Sequence, residues 1–331
     1  MELLRLVAML MVMMVHASYR SLPKPTPESL AMEPWSGFLQ LTTESFTVMA
    51  VDVFVMLSGW YGIRLRLARI AELLLQVLFF SLLCIGVYYA LNGALPDKAL
   101  TSVFMLNERD YWFVKTYLAL YLLAPVLNAY TEQATRRQME LTLLALFGFQ
   151  WVFGWVFEAT TWLRAGYSLP SFVCLYLLAR YLNVHRPALA RLSAKTDLAL
   201  YVAGAALTAV AAFVLKRYFN VGGVLFFYNA PNVIVLATLL LLFFSKLSLR
   251  SRLVNWMAAS ALAIYLTHSN SHVGQYYDIF IRQWHAEQPR PVFLLLVSAL
   301  IVAVFVASIL IDKVRLGLWH LVEHWFARRE G

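Results

Sequence analysis

Ten long apolar runs follow one another along this chain and are separated by short polar segments. Each run is about 20 residues long, the length that an α-helix needs to cross the hydrocarbon core of a bilayer. Hydrophobic residues make up 61% of the 331 residues and charged residues only 14%, a balance far from that of soluble domains. The runs are residues 2–20, 44–63, 71–91, 110–129, 139–158, 162–182, 198–216, 224–245, 256–275 and 291–312. The sequence therefore predicts an all-α, polytopic membrane helix bundle of about ten transmembrane helices, in a single domain over residues 1–331.

The distribution of lysine and arginine predicts the orientation of the chain. If the N-terminus is cytosolic, sixteen cations fall in the inner connections and the tail, and nine fall in the outer connections. The positive-inside rule then places both termini in the cytosol, with residues 313–331 as a short amphipathic cytosolic tail. Because the cations are dispersed among short loops, the net charge of +9 requires no nucleic-acid partner. The longest outer connection, residues 21–43, contains four prolines and is expected to be extended.

Arg5 and His16 are ionisable residues inside the first apolar run. Eleven positions along an α-helix return a side chain to within about 20° of its starting direction, so the two residues share one face roughly 16 Å apart. An ionisable group in a lipid-crossing helix costs roughly a few kcal/mol or more unless it faces protein or water, which makes both residues functional candidates. The structural alternative is that Arg5 extends to the headgroups and that His16 makes a contact between helices.

A second candidate stretch lies at the end of the second apolar run. Ser58, Gly59 and Gly62 allow a close approach of backbones, and three arginines follow on the predicted cytosolic side. Arg66 and Arg69 are three positions apart, hence neighbours on one face if the segment is helical. Guanidinium groups match phosphate oxygens bidentately, so these two arginines are candidates for binding a phosphate. Cytosolic arginines after a span are also ordinary topology signals, and both interpretations stay open.

Five segments, in order along the chain, match motifs of one family. They are Arg5 with His16, Val51–Trp60, Arg66 with Arg69, Tyr111–Pro125 and Ala263–His268. Together they resemble the acyltransferase family 3 membrane proteins, the O-antigen and exopolysaccharide acetylase type. The match touches most of the chain, and ten spans are usual in that family.

That resemblance implies the transfer of an acyl group, usually acetyl from cytosolic acetyl-CoA, to a hydroxyl group of a carbohydrate outside a bacterial plasma membrane. The expected partners are acyl-CoA, a carbohydrate acceptor and the lipid bilayer. His16 is then the catalytic residue, as general base or acyl carrier. Arg5, Arg66 and Arg69 would bind the donor. No further domain is expected after the last span, so either the membrane domain completes the transfer or a separate extracytoplasmic partner does.

Weaker candidates for substrate contact or for lining a tunnel lie within the spans. They are Asp52, Ser58, Trp112, Lys115, Tyr117, Tyr121 and His268. Aromatic residues near span ends and single polar residues are equally expected for structural reasons.

No metal is expected. His268 and His272 are four positions apart, but the spacing places no third ligand. His320, Glu323 and His324 match the pattern of inverted zinc proteases. That segment is better interpreted as an amphipathic helix in the inner interface.

A transporter or flippase of a lipid-linked saccharide is the alternative function. Transporters commonly have inverted repeats and broken helices at matched positions, and the sequence gives no convincing sign of either. It also lacks a phosphate-binding loop that would support an ATP-driven pump. Binding of acetyl-CoA distinguishes the two functions.

Overall fold

The structure is a computed structural model that describes residues 1–106, 111–158 and 161–327, without the side chains of Arg164 and of residues 320–327. The α-helices are α1 (Glu2–Val15), α2 (Pro27–Met32), α3 (Pro34–Thr47), α4 (Ala50–Tyr61), α5 (Leu67–Asn92), α6 (Ala99–Val103), α7 (Trp112–Gln133), α8 (Arg136–Gln150), α9 (Leu169–His185), α10 (Ala194–Phe219), α11 (Pro231–Ser245), α12 (Arg252–Ala258), α13 (Ala261–His268), α14 (Gly274–Glu287) and α15 (Arg290–Ala327). The described residues contain no β-strand. The prediction of an all-α class is confirmed.

Eight helical segments of the described chain are long and apolar enough to cross a membrane, by length and composition. They are Glu2–Arg20, Pro34–Tyr61, Leu67–Asn92, Trp112–Gln133, Arg136–Val156, Ala194–Phe219, Gly222–Ser245 and Arg290–Trp319. Each coincides with one of the ten predicted runs. The protein is therefore a multi-pass helical membrane protein.

The other two predicted runs take different forms. Residues 162–182 divide into a 3₁₀ turn and α9, whose 17 residues are at the short end of the spanning range. Residues 256–275, predicted as one continuous helix, instead contribute to α12, α13 and α14. The side chain of Asn270 accepts hydrogen bonds from the backbone N–H of His272 over 2.9 Å and of Val273 over 3.2 Å. A short polar side chain that binds nearby backbone in this way competes with helix formation.

The expectation that residues 21–43 are extended is wrong. Pro27 and Pro34 lie in the first turns of α2 and α3, where a missing N–H costs nothing and the fixed φ favours a helix. Thr26 and Ser29 cap α2 reciprocally, each side chain accepting a hydrogen bond from the backbone of the other. The prolines start helices here instead of keeping the chain extended.

The chain divides into two compact units. The first unit contains residues 3–67 and 112–249, and the second contains residues 68–111 and the chain from Arg250 onward. Within the first unit, α4 and α7 pack on α9, and α10 packs between α3 and α11. Within the second unit, α13 packs on α15 and α14. The prediction of one domain stays a prediction.

The contact between α4 and α9 depends on a small residue. A Cβ atom on Gly59 would lie 2.5 Å from the carbonyl oxygen of Tyr176 and 3.0 Å from the Cβ of Ala179. Small residues let helix backbones approach closely inside a membrane, where packing and not hydrophobicity drives association. Gly59 therefore sets the spacing of the two helices.

We expect Gly59→Ala to push α4 and α9 apart and to destabilise the protein by about 1–3 kcal/mol, the usual range for overpacking. Thermal unfolding in detergent measures the effect. Gly86→Ala is the matched control, because a Cβ on Gly86 of α5 meets no heavy atom within 4 Å. Alanine is the better helix former, so this control should keep or raise the melting temperature. Equal melting temperatures for the two variants would contradict the packing argument.

Candidate functional site

The predicted catalytic histidine lies where the first span changes its helical geometry. α1 ends at Val15, and a π-helical turn follows over His16–Arg20. The backbone N–H and the hydroxyl of Ser21 each donate to the carbonyl oxygen of His16 over 2.9 Å. π-helical turns are rare and frequently occur at functional sites. The turn holds His16 partly buried.

Arg20 determines which nitrogen of His16 carries the proton. Its Nη1 lies 3.2 Å from Nδ1 of the imidazole. A guanidinium group only donates, so Nδ1 accepts this hydrogen bond and the neutral ring carries its proton on Nε2. His16 can take up a proton at Nδ1 only after Arg20 releases that nitrogen. Sequence reasoning missed Arg20, although its position four residues after His16 is a usable signal.

Four of the predicted site residues lie together in the first unit. The hydroxyl groups of Ser58 on α4 and Tyr117 on α7 are 2.9 Å apart. Arg5 and Tyr121 are both within electrostatic range of the Tyr117 hydroxyl. The Tyr121 hydroxyl in turn donates to the carbonyl oxygen of Arg64 over 2.9 Å. Arg5 of the first span is thus within electrostatic range of hydroxyl groups on α4 and α7.

Hydrogen bonds from α7 and α9 hold the turn that follows α4. Asn128 on α7 donates to the carbonyl oxygen of Ile63 over 2.7 Å. The hydroxyl of Tyr176 accepts from the N–H of Ile63 over 2.9 Å and donates to the side-chain oxygen of Asn128 over 2.6 Å. Gly62 begins the turn with a φ of 75°, a left-handed conformation that favours glycine. These bonds fix the backbone in front of Arg64.

Arg180 on α9 lies against this turn. Its Nη1 is 3.2 Å from the position that a Cβ on Gly62 would occupy. Its Nε is shielded from solvent and has no hydrogen-bond acceptor. In the sequence, Arg180 is one of the sixteen cations of the predicted inner connections, and nothing there distinguishes it from its neighbours.

Arg66 and Arg69 are exposed residues that belong to different units. Arg66 precedes α5 in the first unit. Arg69 lies on α5 in the second unit, where it forms an exposed ion pair with Glu72 at 3.5 Å. Exposed pairs of this kind contribute little to stability. The assignment of both arginines to the donor stays a prediction.

Two carboxyl groups of the second span are buried without hydrogen bonds. Asp52 has 0% exposure, and neither of its oxygens has a partner. Glu44, which the sequence analysis missed, is 2% exposed, and its Oε2 has no partner. By contrast, the buried carboxylates of Asp197 and Asp312 are paired with a lysine and an arginine. A buried polar group without a partner costs free energy, so Glu44 and Asp52 mark a place for a ligand or for water.

Aromatic rings lie close to these carboxyl groups. The rings of Trp112 and Tyr167 are 4.5 Å apart, and those of Tyr167 and Tyr228 are 4.8 Å apart. The Tyr228 hydroxyl is within electrostatic range of both Glu44 and Asp52. We refer to these five residues as the carboxyl–aromatic cluster. Aromatic faces beside oxygen acceptors suit a ligand with apolar faces and hydroxyl groups.

α3 connects the carboxyl–aromatic cluster to the turn that carries His16. The side-chain amide of Gln40 donates to the carbonyl oxygens of Ser18 and Pro23, over 2.9 and 3.1 Å. Glu44 is four residues after Gln40, so both side chains lie on the same face of α3. That face packs on the His16–Arg20 turn.

The remaining candidates contribute less. Lys115 is partly buried on α7. His268 is buried in the second unit, where its Nδ1 donates to the carbonyl oxygen of Ile264 over 2.6 Å. Within the part of the chain that the structure describes, no three His, Cys, Asp or Glu side chains are grouped to hold a metal. The side chains of His320, Glu323 and His324 lie outside the described residues.

Fold and site together define a multi-pass helical membrane protein with polar and ionisable groups gathered inside its first unit. The family model described as "Acyltransferase domain", that of acyltransferase family 3, matches residues 1–312. The chain belongs to this family and is a membrane acyltransferase, as the motifs predicted. Comparisons with curated proteins and with solved structures gave no match.

We expect Asn128→Ala to leave the carbonyl oxygen of Ile63 without a donor and the O–H of Tyr176 without an acceptor. Each such buried group costs about 1–3 kcal/mol, so the free energy of unfolding should fall by that order. Thermal unfolding in detergent measures the loss. Asn255→Ala is the control, since Asn255 is an exposed residue of α12. If both variants have the melting temperature of the wild type, the stability of the protein does not depend on these hydrogen bonds to the turn.

Proposed function

We propose that the protein transfers an acyl group, acetyl in the first instance, from cytosolic acyl-CoA to a hydroxyl group of a cell-surface or lipid-linked carbohydrate. We place it in a bacterial plasma membrane. The observation that carries the proposal is the pair Arg5 and His16 on one span of an acyltransferase family member. The π-helical turn at His16 and the hydroxyl group cluster around Arg5 support roles for both residues. The alternative, a transporter or flippase, has no support from the family.

For the topology we propose ten crossings, with both termini in the cytosol. α9 provides one of the two additional crossings, and the broken segment from α12 to α14 provides the other. Broken helices are tolerated at membrane depth where protein surrounds them. The excess of lysine and arginine in the inner connections supports this orientation. It puts Arg5 at the cytosolic end of the first span and His16 at the outer end.

The donor is proposed to enter from the cytosol. Arg5 binds phosphate oxygens of acyl-CoA, with Arg66 and Arg69 assigned to the same ligand. The pantetheine arm then runs along the first span and brings the thioester to His16, which is roughly 16 Å from Arg5 along an α-helix. Tyr117, Tyr121 and Ser58 line the start of this path.

His16 acts on the acceptor hydroxyl as a general base. The hydroxyl oxygen attacks the thioester carbon, a C–O bond forms and the C–S bond breaks. The hydroxyl proton passes to Nδ1 of His16 once Arg20 has released it, and the CoA thiolate leaves and takes up a proton. An acyl-imidazole intermediate on His16 is the other route that fits the same residues.

The carboxyl–aromatic cluster is proposed to bind the acceptor. A sugar ring stacks its apolar face on Trp112 or Tyr167, and its hydroxyl groups bond to Glu44 and Asp52. A cavity of about 360 Å³ in the same unit is lined by Tyr19, Lys24 and Lys216 among others, which suits an anionic group on the acceptor. The membrane domain completes the transfer, alone or with a separate extracytoplasmic partner.

We expect His16→Ala to bind acetyl-CoA as the wild type does and to transfer acetyl about 10² to 10⁴ times more slowly, the usual cost of losing a positioned base. Release of CoA thiol from labelled acetyl-CoA, with a membrane glycolipid extract as acceptor, measures the rate. His285→Ala is the control, because His285 is an exposed residue of α14. Near-normal turnover in His16→Ala would remove the catalytic assignment. A wild-type protein that neither binds nor consumes acetyl-CoA would overturn the proposed function and favour the transporter.

The proposed orientation is tested with single cysteines in a protein whose Cys84 and Cys174 are replaced. Ala31→Cys lies on exposed α2 and Gln133→Cys at the exposed end of α7. In intact cells a membrane-impermeant thiol reagent should label only the cysteine at position 31. The cysteine at position 133 should react after lysis. The reverse pattern would place Arg5 on the wrong side for a cytosolic donor.

A further inference from the structure

The guanidinium group of Arg180 lies in the first unit without an acidic partner. Its Nε has neither solvent access nor an acceptor, and none of the ion pairs between described residues includes it. The side chain as a whole is half-buried, and a buried polar atom without a partner costs free energy. A guanidinium group with a shielded and unsatisfied N–H is therefore a candidate for binding an anion in the working protein.

The neighbouring backbone leaves room for that guanidinium. Nη1 of Arg180 is 3.2 Å from where a Cβ on Gly62 would be. A side chain at position 62 would press on the guanidinium, and its φ of 75° would also be strained in any residue with a Cβ. The turn after α4 is thus shaped around Arg180.

Phenol groups lie within electrostatic range of both Arg180 and Arg5. The Tyr176 hydroxyl is within electrostatic range of both Arg180 and Tyr117. Tyr117 is in turn within range of Arg5. The N–H of Gly62, in the turn beside Arg180, donates to the carbonyl oxygen of Ser58 over 3.0 Å, and the Ser58 hydroxyl is 2.9 Å from that of Tyr117. Each guanidinium group is thus within electrostatic range of one of two neighbouring phenols. Fixed positive charge of this kind suits the oxygens of a phosphate.

We propose that Arg180 and Arg5 form a subsite for the diphosphate of the acyl donor. The inference rests on the proposed function, in which that donor is acyl-CoA. The diphosphate lies between the pantetheine arm and the adenosine of CoA, so it is the phosphate group that reaches residues between helices. The exposed Arg66 and Arg69 are better placed for groups that stay in solvent.

A structural role for Arg180 makes a different prediction. The guanidinium is close to the C-terminal end of α4, where the carbonyl groups carry partial negative charge and attract a cation. If that were its whole purpose, replacing Arg180 would lower the melting temperature and leave donor affinity unchanged. A diphosphate subsite instead requires a loss of affinity that depends on which phosphates the ligand has.

The test compares three ligands on purified protein in detergent: CoA, dephospho-CoA, which lacks only the 3′-phosphate, and pantetheine, which has no phosphate. Competition against labelled acetyl-CoA gives the affinities. We expect Arg180→Gln to lower the affinity for CoA and for dephospho-CoA by about ten- to hundred-fold, as for the loss of one charge-assisted hydrogen bond. The affinity for pantetheine should not change. Arg180→Lys should recover only part of the loss, because an ammonium group lacks the planar fork. Arg137→Gln, at an exposed arginine of α8, is the control and should match the wild type.

Each other result overturns a named statement. If wild type binds CoA and Arg180→Gln binds it equally well, the subsite is wrong while the proposed function stands. If the affinity falls for CoA but not for dephospho-CoA, Arg180 binds the 3′-phosphate, and the assignment to the diphosphate is wrong. If the wild type binds no CoA, the proposed function fails together with the subsite. Should Arg180→Gln not fold, Arg180→Lys gives the same comparison, and a loss that is equal for all three ligands would contradict the proposal.

Discussion

The pairing of charges in an apolar environment is the constraint on which the rest of this structure depends. A charge in a membrane-embedded bundle must be compensated, because neither lipid nor packed side chains solvate it. Asp197 and Asp312 meet this requirement within the chain, since Lys246 and Arg315 pair with them. Arg180, Glu44 and Asp52 do not have such partners. All three of these groups lie in the first unit, where we propose that they bind the substrates.

Backbone that leaves regular helical geometry needs the same compensation, since unsatisfied N–H and C=O groups are costly in lipid. Two irregular places of the first unit obtain it from side chains. Ser21 and Gln40 bond to the carbonyl oxygens around the His16 turn. Tyr121, Asn128 and Tyr176 bond to the backbone after Gly62. These side chains fix the positions of His16 and of the residues near Arg180, so a change in them is expected to alter both stability and the site.

Hydropathy and motifs predicted much of this from the sequence. Eight runs were correct because span length and apolar content are local properties, and the motifs predicted the family correctly. The run at 256–275 is not one continuous helix, because a window average hides one residue, Asn270, whose side chain replaces helical hydrogen bonds. Arg5, Ser58, Tyr117 and Tyr121 were all candidates, yet their meeting depends on tertiary packing. Arg180 and Glu44 could not be predicted, because their distinguishing feature is a polar atom without a hydrogen-bond partner. Hydrogen-bond partners can be identified only in the three-dimensional structure.

The unpaired groups of the first unit are chemically different from one another, and this difference bears on how the proposed enzyme keeps its two substrates apart. Guanidinium and phenol groups around Arg5 and Arg180 favour phosphate, whereas carboxyl groups and rings around Glu44 and Tyr228 favour hydroxyl-bearing rings. Phosphate gains nothing from the second set, and a neutral sugar gains little from the first. Each substrate is then directed by the groups that recognise it, and His16 acts on the thioester and the hydroxyl only where both arrive. Selectivity of this kind comes from the different chemistry of the two sets of residues, each of which binds the other substrate poorly. It needs no moving gate.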